Sequence, residues 1–159
     1  MTKARELLQG YDASGANGLW ITDGTVAGTI ELAVSGSDPG GLFANITQIA
    51  DFTVLGSKIL FAGDDASGHY NLWETGGTAA GTIPIPVSGA YSSGLFYSIT
   101  DLVDTAGGFN PHFTVFGNKA LFVGTDANGH DTLGNQWNIS RDERAGSLGE
   151  LLRRVVRRP

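Results

Sequence analysis

The feature that most constrains this chain is that it repeats itself. Residues 19–36 read LWITDGTVAGTIELAVSG and residues 72–89 read LWETGGTAAGTIPIPVSG, an offset of 53. The same offset pairs GYDASGANGLW (10–20) with GDDASGHYNLW (63–73), and GLFANIT (41–47) with GLFYSIT (94–100). A third copy follows at an offset of 61, where FTVLGSKILFAGDDASGH (52–69) matches FTVFGNKALFVGTDANGH (113–130). The extra eight residues fall in the Gly- and Pro-containing stretch DTAGGFNPH and read as a loop insertion. A period of this length calls for one supersecondary unit per copy, each covering its neighbour's apolar face.

The complete middle copy divides into four short runs separated by turn residues. Strands are predicted at Ile49 to Leu55, Lys58 to Ala62, Tyr70 to Thr75 and Thr82 to Val87, with a two-residue Gly56-Ser57 connection between the first two. Gly is 24 of 159 residues without a period of three, so it serves as turn punctuation where φ > 0 is needed. Pro84 and Pro86 remove two ladder donors and place the fourth run at a sheet edge. The expected fold is all-β, with antiparallel four-stranded meander repeats forming a partial β-propeller, followed by a short C-terminal helix or a disordered tail. The expected units are 1–36 (partial first repeat), 37–89 (complete second repeat), 90–137 (incomplete third repeat with an insertion near 103–112) and 138–159 (a non-repeat basic tail).

The third copy loses the pattern at its end, where Leu133 takes the place of Leu72 but Gly134 takes that of Trp73, and Trp137 lies outside the repeat. The segment from residue 134 onward reads either as a natural cap or as out-of-frame or unrelated sequence. Charge changes sign here too. Residues 1–140 hold 13 acids and four bases, whereas 141–159 hold six Arg and three acids. An acidic body repels a phosphate backbone and excludes nucleic-acid binding as its function. The tail SLGELLRRVVRRP has the spacing of a short basic amphipathic helix, which self-docks on the acidic body or stays disordered. With no cysteine there is no disulfide, thiolate zinc site or cysteine nucleophile. MTKARELLQG lacks the apolar run of a signal peptide, and no stretch approaches the roughly 18 apolar residues of a membrane span.

The segments LWITDGTVAGT and LWETGGTAAGT resemble the ELWxxDGTxxGT repeats of large bacterial proteins. The likeness covers about residues 8–133 and is most specific at the Leu-Trp, Gly-Thr and Gly-Thr positions. The sequence departs from that pattern at the Glu, which is Gly18 in one copy and Asn71 in the other, and at the Asp, which is Asp23 in the first and Gly76 in the second. The resemblance implies a propeller-like β fold and a secreted or cell-surface setting. It implies no catalytic residues.

One pattern points to bound ligand chemistry. The hairpin loops around Asp12, around Asp64-Asp65 and around Asp126 with Asn128 place oxygen side chains at alternate positions beside a Gly turn, as calcium loops do. An Asx-type hairpin turn wants the same residues, so turn and weak calcium site are competing readings. Calcium is thus the one candidate cofactor. His69 and His130 fall at equivalent places in successive copies and do not converge on one metal; with His112 they read as loop residues. Trp20 and Trp73, at repeat spacing, read as packing between units, with sugar stacking as the alternative. No GxSxG, HExxH or GxxxxGK[ST] occurs, and the Gly-rich SGSDPGG (35–41) reads as a linker.

The sequence therefore leads to a non-enzymatic structural or interaction segment of a larger, exported protein. Its partner is undefined by the sequence: a protein or carbohydrate at a cell surface, or a second copy through open sheet edges. Two alternatives stand beside it, a calcium-stabilised extracellular binding module and a fragment of a propeller enzyme or lectin whose site lies in other units.

Overall fold

The computed structural model of the chain describes residues 5–45, 50–97 and 111–140, with 131–140 described as backbone. All regular structure among the described residues is β, in three antiparallel sheets that follow one another along the chain. The first holds β1 (Glu6–Tyr11), β2 (Asn17–Thr22) and β3 (Ile30–Leu32) in that order. The second is a four-stranded meander of β4 (Thr53–Leu55), β5 (Lys58–Asp64), β6 (Tyr70–Thr75) and β7 (Thr82–Pro84). The third has β8 (Thr114–Phe116), β9 (Lys119–Thr125) and β10 (Asp131–Ser140), with β9 in the middle.

Strand alternation gives each sheet two apolar faces, and the middle sheet uses both. On one side Phe61 and Trp73, paired across β5 and β6, join Leu19, Ile21 and Leu32 of the first sheet in one buried cluster. On the other side Leu60, Ala62 and Leu72 meet Ala120 and Phe122 of the third. Phe61 stacks on Trp73 at 6.5 Å and touches Phe43 and Phe52, so an aromatic group sits within the first core. In the second core Phe96, Phe113 and Phe122 meet edge to face within about 6 Å.

The connections between sheets are structural parts in their own right. After β3 the chain crosses to the second sheet and is bonded on both sides: Phe43 N–H donates to Asn17 O at 2.9 Å, and Asp64 N–H donates to Leu42 O at 2.7 Å. The next crossing repeats the arrangement, with Phe96 N–H on Tyr70 O at 3.1 Å and Thr125 N–H on Leu95 O at 2.6 Å. Leu42, Phe43, Leu95 and Phe96 are all buried by these straps. The Gly before each Leu is obligatory. Gly41 has φ 103° and Gly94 has φ 124°, and a Cβ on either would run into the backbone of Asn17 or Tyr70.

Strand positions follow the sequence reading, with differences at the ends. β6 spans the predicted run, while β5 extends two residues further, to Asp64. β4 covers Thr53–Leu55, because Asp51 turns the backbone to φ 48° just before it; Ile49 of the predicted run lies outside the described residues. β7 ends at Pro84, which has no N–H, although Ile85 N–H still donates to Leu72 O at 2.8 Å, and it is an edge strand as expected. Among the described residues four strands occur only in the middle sheet; the first sheet has three, starting from the strand equivalent to β5, and the third has three. The insertion (apart from Pro111 and His112), the tail beyond residue 140 and its expected helix lie outside the described residues.

The end of the third sheet departs from expectation. β10 continues across residue 138, where the sequence pattern has already lapsed, and its register to β9 shifts between Asp131 and Gln136. The shift sets Trp137 opposite Phe122, the pairing made by Trp73 with Phe61 and by Trp20 with Leu8.

Candidate functional site

The three acidic hairpin loops share one geometry. Asp12 Oδ1 accepts from Ser14 N–H at 2.8 Å, Ser14 Oγ at 2.7 Å and Ala16 N–H at 2.9 Å. Asp65 Oδ1 accepts from Ser67 and His69 N–H at 2.8 and 3.1 Å, and Asp126 Oδ1 from Asn128 and His130 N–H at 2.9 and 3.0 Å. Each carboxylate thus folds back onto its own loop as an Asx turn. These bonds favour the charged form: the Ser14 hydroxyl and the Ala16 amide lower the pKa of Asp12, and the His130 amide leads the same effect on Asp126. His69 and His130 reach the carboxylates of their own loops at 4.0 and 3.6 Å, one pair in the second sheet and one in the third, and do not converge. Among the described residues, no group of three or more His, Cys, Asp or Glu is placed to hold a metal ion.

Asp64 is a different residue from its neighbour, although the sequence joined the two. It ends β5 and is 2% exposed, beneath the strap that carries Leu42. Its Oδ2 accepts from Asn45 N–H at 3.1 Å. Burial raises its pKa to about 6, with the charges of Asp38 and Asp65 adding to the rise against the Asn45 amide. Tyr70, its cross-strand partner, is raised well above its ordinary range by burial and by the charges of Asp64 and Asp51. The equivalent positions in the other sheets are Tyr11 and Thr125, so this buried acid belongs to the middle unit alone.

The Gly-Thr turns are held by hydroxyls. Thr22 and Thr29 share a hydrogen bond of 2.6 Å, and Thr75 and Thr82 one of 2.7 Å. In both turns a further Thr accepts from a Gly amide at 3.0 Å, Thr25 from Gly28 and Thr78 from Gly81. Asp23 adds bonds to Thr25 in the first turn, and the second closes without an acid at Gly76. The Trp residues are structural as well. Each indole N–H donates to a cross-strand glycine carbonyl at 3.0 Å, Trp20 to Gly10 and Trp73 to Gly63. Trp73 is fully buried and Trp20 half-buried.

An open hollow of about 320 Å³ lies beside the first sheet, lined among others by Ala16, Gly18, Glu31, Ser35, Ser37 and Asp38. Its origin is legible in the repeat. In the second unit Asn71 stands in place of Gly18, its Nδ2 donating to Asp65 Oδ2 and its Oδ1 accepting from Leu95 N–H, both at 2.9 Å. Gly18 provides no such side chain, and the Glu31 carboxylate lies over it instead. Ser37 Oγ donates to Val34 O at 3.0 Å, so its proton is held by the backbone. Among the described residues no helix is long and apolar enough to cross a membrane. No family model, no curated protein and no solved structure matches the chain.

Proposed function

We propose that the chain is a non-enzymatic structural and interaction segment whose role is to present stacked β-sheets as a scaffold. One observation carries this reading: the same face-to-face packing is used twice, Phe61 and Trp73 against the first sheet and Phe122 against the middle one. The residues that define the repeat serve that packing. The Trp indoles lie over glycines, the Thr hydroxyls close the turns, and the Leu-Phe straps plug the cores. The likeness to ELWxxDGTxxGT repeats adds a place for the segment, as part of a propeller-like array in an exported or cell-surface bacterial protein. The Asx turns favour this over a calcium-binding module, because the carboxylate oxygens already serve as caps.

The test is thermal unfolding followed by circular dichroism, with millimolar calcium and then with excess chelator. A cooperative β transition at one temperature in both buffers is the expected result. A transition raised by several degrees in calcium would transfer the reading to a calcium-stabilised module.

A further inference from the structure

We propose that the open hollow beside the first sheet is a binding site for a small ligand, neutral or positively charged, that carries a primary carboxamide. The site goes beyond the scaffold reading, which gives the hollow no occupant.

The middle unit shows what such a hollow holds. There Asn71 fills the space with its own carboxamide: Oδ1 accepts from Leu95 N–H and Nδ2 donates to Asp65 Oδ2, both at 2.9 Å. Each of those partners has a counterpart in the first unit at the offset of 53, Leu42 for Leu95 and Asp12 for Asp65. Only the carboxamide is gone, because Gly18 stands for Asn71. Leu42 lines the hollow and is 2% exposed, and among the described residues its N–H has no acceptor. A buried amide in that state is costly until an acceptor reaches it. Asp12 takes its turn bonds on Oδ1, so Oδ2 can accept a further donor. Glu31 brings a second carboxylate over Gly18, at a position where the middle unit has Pro84. One donor and its facing acceptors thus remain, set for an amide group that the first unit does not supply.

Size and charge narrow the ligand. About 320 Å³ takes a group as large as an amino-acid residue, and Glu31 and Asp38 in the lining reject an anion. The stacking of units leaves the hollow accessible. The first unit rests on the middle one through Asp38 N–H on Asp64 O and Ala66 N–H on Gly36 O. The counterparts of Asp64 and Ala66 are Tyr11 and Ala13, and neither lines the hollow. A unit stacked before the first in the same manner would rest there and not over Gly18, and the second sheet is already in place on the other side.

The full chain, labelled with heavy nitrogen, is titrated at neutral pH with acetamide, glycinamide and acetate while its amide resonances are followed. Both amides should shift Leu42 N–H saturably, with dissociation constants on the order of millimolar for ligands this small, and acetate should leave it in place. Gly18→Asn supplies the missing carboxamide from the chain itself and should weaken the response at least about ten-fold. The Cβ it adds meets the end of the exposed Glu31 side chain, which can turn aside. Asn71→Gly opens the same space in the middle unit and should make Leu95 N–H respond to the amides as well. A folded chain whose Leu42 resonance ignores both amides overturns the site and leaves the scaffold reading standing. Acetate acting as acetamide does, folded Gly18→Asn responding at wild-type strength, or Leu95 staying silent in folded Asn71→Gly overturns it too. A chain without a folded spectrum overturns the site and the scaffold together.

Discussion

Replacing Asp64 with Asn should make the protein more stable at neutral pH and remove most of its pH dependence between about 4 and 6. Its folded-state pKa stands at about 6 against an ordinary 3.8, chiefly because burial disfavours the charge. The folded chain therefore holds this proton more tightly than the unfolded chain. Stability falls as pH rises from the ordinary value to the folded one, and the whole penalty is present above about 6. At roughly 1.4 kcal/mol for each tenfold change the penalty is about 3 kcal/mol. Asparagine keeps the size and an acceptor for Asn45 N–H, but its own amide hydrogens need partners, so a gain of about 2 kcal/mol is expected at pH near 8. Asp12 and Asp126 act with the opposite sign, supporting the fold in full above the ordinary value of 3.8 and losing that support as pH falls from there through their lowered pKa values. Urea unfolding of both proteins from about pH 4 to about pH 8 reads the difference. An Asn variant less stable than the wild type at the alkaline end would refute the argument, since it would mean that the carboxylate is stabilised by its surroundings.

Gly41→Ala should cost several kcal/mol, roughly 1–3 from the positive φ and more from the collision with Asn17, and a melting curve near the wild-type midpoint would count against the strap. Phe61→Ala removes the ring shared by three aromatic contacts in the first core and should cost about 3–5 kcal/mol in denaturant unfolding. Trp73→Phe removes the indole donor to Gly63 O and part of the ring volume from the core, and should cost about 1–3 kcal/mol. Trp20→Phe should cost less, because that indole is half-buried, and equal losses would contradict the difference in burial. Asp65→Ala, assayed the same way, should lose about 1 kcal/mol through the Asx turn, with no change in calcium response.

Much of the fold was legible because each unit's periodicity is bounded by turn chemistry with a fixed meaning. Tyr70 to Thr75 alternates and ends at a Gly-Thr turn, and the structure places β6 there. Three things were not legible. Asp51 adopts a left-handed conformation, which Asp tolerates better than most residues, but the same residue type stands in many other turns here and does not single out the place where β4 is cut short. The adjacent carboxylates Asp64 and Asp65 look alike in sequence, yet strand alternation buries one and leaves the other capping a turn. Trp137 was unreadable because sequence matching counts residues, whereas β10 restores its alignment with Phe122 by a shift of register. The calcium pattern was ambiguous for a physical reason: an oxygen at alternate positions beside a glycine serves a cation or the loop's own amides equally well.

The straps have a consequence for how the chain opens. Each is hydrogen-bonded to the sheet behind it through Asn17 or Tyr70 and to the sheet ahead through Asp64 or Thr125. A fluctuation that frays one sheet must therefore release amides that belong to the next. Native-state hydrogen exchange should find Phe43 and Asp64 leaving protection together, although 21 positions separate them. The sheets then behave as links that share their pins, and the smallest piece able to open alone is larger than any single meander.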